Sequence, residues 1–289
     1  MGSAKLAPPF LFLMSNQQFD QEPPSYDHAF QTNLDPGQVY QFGKLHDASI
    51  DSYERGEMFI QAFSQQIDTF PALEAQRISQ HGFLNTIRID TESQQNQLFQ
   101  HPKGKTAFRL VRPNLIQFWP TINSPLTDLD VTAQASHPFL TLSEYQSQYN
   151  TAETHHYFEI TVENVGHSDV VMAIGLATKP YPIFRMPGWN KFSVGYHSDD
   201  GHKFCDDATG GQSYGPSWKI GDTVGCGYCP ETGNVFFTLN GQWLGYAFQG
   251  LKRHYYFASI GTDGPAQIKV NFGHSPFQYK VDPWAGQFI

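Results

Sequence analysis

The run "NVFFTLNGQWLGYAF", residues 234–248, constrains the fold more than any other stretch of the chain. Val235, Phe237 and Leu239 alternate with Phe236 and Thr238, which gives an extended chain two distinct faces. Asn240-Gly241 then supplies the two residues that most readily take positive φ, as a two-residue hairpin turn requires. The stretch predicts a β-hairpin, and an isolated hairpin is at best marginally stable in water. It must belong to a larger antiparallel assembly.

Neighbouring runs have the same texture. "AFRLVRPNLIQFW" from residue 107, then "HHYFEITVENVG", "VVMAIGLAT", "KFSVGYHS", "DTVGCGYC", "YYFASIG" and "AQIKVNFG", are short and bounded by Gly, Pro, Asn or Asp. With 15% aromatic and only 16% charged residues, 25 Gly and 19 Pro, the composition suits short strands and tight turns better than long helices. The spacing predicts an all-β fold, an antiparallel sandwich, and no repeat of solenoid or propeller period is present.

The first half reads differently. Residues 1–45 are rich in Gln, Pro, Asp and Asn without an apolar period, which predicts a disordered tail. In "DSYERGEMFIQAFSQQI" Phe59, Phe63 and Ile67 recur at helical spacing and predict an amphipathic docking helix over 52–68 despite Gly56. Pro71 is placed to open a second short helix and His81-Gly82 to end it. The expected organisation is a tail (1–45), a helical and loop extension (46–106), a sandwich (107–280) and a C-terminal tail (281–289).

A formal charge of −9 and the lack of clustered Lys and Arg argue against nucleic acid and against a polybasic membrane patch. Three cysteines, Cys205, Cys226 and Cys229, make no disulfide framework and suit a reducing, cytoplasmic setting. "PPFLFLM", residues 8–14, stops far short of the roughly 20 apolar residues that span a bilayer.

Taken in order, "YFEITV", "VMAIGLAT", "PGWNKFSVGYHSDDGHKF", "YGPSWKIGDTVGCGY", "NVFFTLNGQWLGYAF" and "VNFG" resemble a SPRY domain over about residues 107–275. The resemblance implies a bent sandwich of two antiparallel sheets whose loops at one rim bind peptides of partner proteins, with no catalytic centre, cofactor or metal. "TKPYPIFRMPGWNKFSVGYH" and "YCPETGNVFFTLNG" resemble fungal endosomal and vacuolar SPRY adaptors, and also Ran-binding-protein-M-like scaffolds of a larger ubiquitin-ligase assembly. The fungal adaptors recruit a HECT-type ubiquitin ligase by presenting Pro-Pro-x-Tyr to its WW domains. Pro23, Pro24 and Tyr26 match that motif within "QEPPSYDHAF". Those adaptors usually carry an N-terminal transmembrane helix, whereas this sequence shows none, so membrane association, at endosomes or the vacuole, is expected only through partners. The resemblance places Tyr181, Arg185 and Asp263 at the border of the client groove, and Tyr and Arg on a loop are typical exposed interface anchors.

Other constellations point elsewhere. "GQSYG", residues 211–215, offers Ser213 as the nucleophile of a hydrolase, but the strand and helix that such an elbow needs are not predicted around it. Cys226 and Cys229 fall on opposite faces of a predicted strand, which prevents joint chelation. His197, Asp199, Asp200 and His202 form a mixed ligand set, although Asp-Gly is also a hairpin signal. Trp189 and Trp218 are expected to pack rather than to bind.

Overall fold

The computed structural model describes residues 50–91, 107–119, 130–141, 144 and 155–280. The strand that ends at Leu239 reverses through Asn240 at φ 50° and Gly241 at φ 78°, and Leu239 pairs with Gln242 across the turn, as the sequence predicts. In chain order the elements are α1 (Ile50–Phe63), α2 (Ala72–His81), α3 (Phe83–Thr86), β1 (Phe108–Arg112), β2 (Leu115–Phe118), β3 (Val131–Pro138), β4 (His156–Val165) and β5 (Met172–Ala177). They continue with β6 (Ser193–His197), β7 (His202–Cys205), β8 (Gln212–Ser213), β9 (Thr223–Cys229), β10 (Asn234–Leu239), β11 (Gln242–Phe248), β12 (Phe257–Thr262) and β13 (Ala266–Asn271).

The strands form two antiparallel sheets, ordered β1-β2-β13-β4-β9-β10-β11 and β3-β12-β5-β6-β7-β8. Strand alternation sorts the side chains. Phe158, Ile160, Val224, Cys226 and Phe237 of the first sheet meet Ile174, Val194, Tyr196 and Ile260 of the second in one core. The β10–β11 ladder is irregular: its register shifts on both sides of Phe236, Gly245 sits at φ 95°, and Trp243 and Tyr246 face solvent.

The extension is part of this body. Pro71 precedes α2, and Gly82 ends it at φ 84°, as expected from the sequence. Ile78, Phe83, Ile87 and Ile89 enter the sandwich core, and Ile89 bridges to Ala135. Asp68, at φ 63°, receives the Tyr255 amide and lies 2.6 Å from His254 Nδ1, which fastens the end of the α1 segment to the loop before β12.

Both outer faces carry a second layer. On the six-stranded sheet the loop 178–192 lies flat, because Gly195 and Gly261 leave it room: a Cβ at Gly195 would stand 2.1 Å from the Pro187 carbonyl oxygen, and one at Gly261 2.5 Å from Pro187 Cδ. Met186 and Trp189 of the loop join Ala173, Phe204 and Ala208 in a small apolar cluster there. Helix α1 sits on the loop in turn, with Ser52, Gly56 and Phe59 buried. On the seven-stranded sheet residues 276–280 form a strap: the Phe277 and Tyr279 rings lie 4.8 and 5.5 Å from Tyr157, and buried Glu159 accepts the Gln278 and Tyr279 amides at 2.9 Å each.

Candidate functional site

The loop that follows β5 is held by its own polar side chains. Tyr181 donates its hydroxyl hydrogen to Met186 O at 2.7 Å and accepts the Asn190 amide at 3.2 Å, and burial pushes its pKa up to about 12. Arg185 donates from Nη2 to Trp189 O at 2.7 Å and from Nη1 to Ser52 Oγ of α1 at 3.3 Å. The sequence reading gave both side chains exposure, and the structure corrects this: Tyr181 is 5% and Arg185 2% accessible. The reason is the extra layer. The loop turns these groups inward, between the bare glycine floor and α1, where they fix its path. Burial also lowers the Arg185 pKa, with Tyr181, Asp130, Tyr53 and Glu57 opposing.

Asp263 belongs to the same end of the sheet. Thr132 donates its amide to Ile183 O and its hydroxyl to Arg185 O, at 2.8 and 2.6 Å. Thr132 pairs with Gly261 and Val131 with Thr262, so the turn that begins at Asp263 starts beside the backbone that carries the loop. Asp263 Oδ1 accepts the Val171 amide at 2.7 Å and Asp263 N–H donates back to Val171 O at 3.1 Å.

Burial raises the Asp263 pKa from 3.8 to about 6, against the lowering effect of the Val171 hydrogen bond and of His167. The fold therefore favours the protonated acid, and the native state binds more protons than the unfolded state between these two values. Stability contributed by Asp263 is expected to be present in acid and to fall as pH rises to about 6. Asp263→Asn, which keeps an acceptor for Val171, is expected to remove that slope and to be more stable than the unsubstituted chain at neutral pH. Chemical denaturation at several pH values checks this; parallel pH profiles for the two proteins would refute it.

The competing constellations separate. Ser213 Oγ is 3.3 Å from His202 Nε2, and His202 Nδ1 is 2.8 Å from Asp200 Oδ2, an order that superficially suits nucleophilic catalysis. Yet β8 is a two-residue edge strand with Gln212 and Ser213 exposed, and coil rather than a helix follows Ser213. The strand-turn-helix context of a nucleophile elbow is missing. His197 is buried beneath the loop, its Nε2 2.9 Å from Pro187 O and its pKa pushed down to about 4 by burial, whereas Asp199 and Asp200 lie on the exposed turn. Among the described residues no group of His, Cys, Asp and Glu is gathered as metal ligands. Cys226 packs in the core and Cys229 does not, consistent with opposite faces of β9. Trp218 packs in the main core and Trp189 in the outer cluster. Pro23, Pro24 and Tyr26 lie outside the described residues.

Two features escape the sequence reading. Strand β3, "VTAQASHP", alternates small and polar residues, and its buried Thr132 and Gln134 serve the loop through hydrogen bonds to Arg185 O and Thr178 O. A cleft of about 470 Å³ beside the C-terminal strap is lined by Glu159, Lys269, Arg88, His274 and Phe277, which come from distant parts of the chain.

The two antiparallel sheets, packed on one core with the loop 178–192 and the turn at Asp263 beside the same strands, define an all-β sandwich. A family model described as the SPRY domain matches residues 155–275, and this stretch is a SPRY domain. Similar proteins include "Protein ssh4" of Sclerotinia sclerotiorum, 46% identical over 111 residues, covering 38% of this chain and 21% of that relative. "Ran-binding protein 9" of Xenopus tropicalis is 41% identical over 129 residues, covering 44% of this chain and 23% of the relative. The chain thus spans about a fifth of the length of the curated relatives it matches. A crystal structure of a human SPRY domain aligns with TM-score 0.46 and 24% identity, covering 59% of this chain and 98% of that one. Among the described residues no helix is long and apolar enough to cross a membrane.

Proposed function

We propose that the chain is a non-enzymatic adaptor that couples a client protein to a WW-domain ubiquitin ligase of the HECT type, for sorting and degradation of cargo at endosomal or vacuolar membranes. The client is held at the end of the six-stranded sheet where the loop positioned by Tyr181 and Arg185 adjoins the turn at Asp263. The ligase is recruited by Pro23, Pro24 and Tyr26. The observation that supports this reading is the presence in one chain of a SPRY domain and, outside it, of Pro-Pro-Ser-Tyr. Composition alone would produce that pattern only about 0.06 times in such a chain. A second reading, a scaffold subunit of a larger ligase assembly, draws on the similarity to Ran-binding protein 9.

A WW groove reads a polyproline II turn through stacked proline rings and a separate tyrosine contact. A peptide spanning residues 18–32 is expected to bind isolated ligase WW domains, with Tyr26→Ala and Pro24→Ala each weakening it about tenfold or more, roughly 1.4 kcal/mol, and Ser25→Ala having little effect. Calorimetric titration checks this. Equal binding by the parent and Tyr26→Ala peptides would remove the ligase arm and leave the scaffold reading.

A further inference from the structure

The cleft beside the C-terminal strap belongs to the seven-stranded sheet, whereas the client surface belongs to the other. Strand alternation turns Ile160, Val224 and Ile268 into the core and so presents Thr161 of β4, Thr223 of β9 and Lys269 of β13 to the cleft. The strap from Ser275 to Gln278, Ile87 and Arg88 of the extension, and Pro113 and Asn114 between β1 and β2 complete the lining.

The cleft is opposite in sign to the chain. The sequence carries a formal charge of −9, yet the lining holds two cations, Arg88 and Lys269, and a single carboxylate, Glu159. Glu159 is buried and engaged by the Tyr157 hydroxyl and the strap amides. Arg88 and Lys269 are exposed, and among the described residues neither forms an ion pair. The Arg88 charge reaches inward as well: after burial, it is the main cause that lowers the His137 pKa. A further donor comes from the floor. Thr161 Oγ1 and Thr223 Oγ1 lie 2.9 Å apart and share one hydrogen bond, so whichever hydroxyl accepts keeps its own hydrogen to give. Pro113, Pro276 and Phe277 set apolar surface beside these donors.

We propose that this cleft is a second protein-binding site, and that its occupant is an extended segment of a partner protein bearing an Asp or Glu next to an apolar residue. The carboxylate meets Lys269 and the Arg88 guanidinium, whose fork suits two acceptor oxygens, and takes the remaining threonine hydrogen. The apolar neighbour rests on Phe277 and the prolines. One exposed cation would contribute little, but two that serve the same group act as a network. Two cations in a chain this acidic are too few for a polyphosphate strand, which favours a protein segment over nucleic acid. At about 470 Å³ the cleft has the size of a small-ligand site and takes a few side chains, not a docked helix. Because the two surfaces lie on different sheets, occupation of this one leaves the client surface open.

The test uses the full chain, unsubstituted and as the double variant Arg88→Gln/Lys269→Gln. Both side chains are exposed, and the backbone bonds of Arg88 to Ser136 and the pairing of Lys269 with Leu115 and Thr161 do not depend on them. A phage-displayed random dodecapeptide library is selected on the unsubstituted chain and counter-selected on the double variant. The enriched peptides are synthesised with their acidic residue intact or as its amide. The expected result is a shared acidic position beside an apolar one, with affinity about tenfold weaker for either single substitution and for the amide peptides. Added salt should weaken binding to the unsubstituted chain. Bound peptide should slow hydrogen exchange within residues 114–115 and 275–278 and leave the loop 178–192 unchanged. Peptides that bind both forms equally, or that protect the loop 178–192 instead, overturn the cleft while leaving the client surface standing. Enrichment without an acidic position overturns the carboxylate, and failure to enrich any peptide that distinguishes the two forms overturns the site. Should the double variant not fold, Lys269→Gln alone decides the same points.

Discussion

Gly195→Ala is expected to destabilise the protein by about 3 kcal/mol, roughly 6–12 °C in Tm, although it adds a single methyl group. The methyl would meet the Pro187 carbonyl oxygen at 2.1 Å, and that oxygen is backbone. Neither partner can yield alone: β6 is paired on both sides, to β5 and β7, and Pro187 is held at Gly261 and against His197. The loop 178–192 must lift, taking Met186 and Trp189 from their cluster and Arg185 from Ser52. Gly210 provides the control, since a Cβ there meets nothing within 4 Å. Its substitution by Ala is expected to stay within about 0.5 kcal/mol. Thermal and urea denaturation of both variants measures the difference; equal midpoints would show that the loop does not depend on a bare floor.

Glu159→Ala is expected to release the C-terminal strap. The carboxylate accepts the Tyr157 hydroxyl and the amides of Gln278 and Tyr279, all at 2.9 Å. Each such bond to a charged acceptor contributes about 1.5–3 kcal/mol, and the donors share one acceptor, so a combined loss of about 3 kcal/mol follows. Hydrogen exchange locates the effect: the Gln278 and Tyr279 amides should lose protection while those of β5 and β12 keep their order relative to global unfolding. Retained protection at both amides would mean that the rings of Phe277 and Tyr279 hold the strap unaided.

The sandwich was legible in the chain because alternation and turn chemistry agree at each hairpin. Asn240-Gly241 fixes its register through positive φ, and Val224, Cys226 and Tyr228 mark the core side of β9. Strand β3 was not, since Thr132, Gln134 and Ser136 look like a polar loop until their bonds to a remote segment are seen. The same cause explains the error over Tyr181 and Arg185. A loop rich in Tyr, Arg, Trp and Asn has the composition of an interface, and composition cannot tell an interface with a partner from one made with the chain's own helix. Gly56 carried the missing signal. A glycine inside an amphipathic helix costs about 1 kcal/mol against alanine, and its presence there points to close packing against a neighbour.

The irregular ladder between β10 and β11 has a consequence for behaviour at high concentration. An outer strand with evenly spaced amides and carbonyls is a template on which a second copy can grow, and exposed aromatic rings would add to the attraction. Here the register slips twice within the strand pair, Gly245 sits at φ 95°, and the half-exposed Trp243 and Tyr246 rings pack edge-to-face on each other at 5.5 Å. An incoming strand finds no continuous row to match. The rings can therefore stand in water at this margin without nucleating the end-to-end growth that leads to fibres.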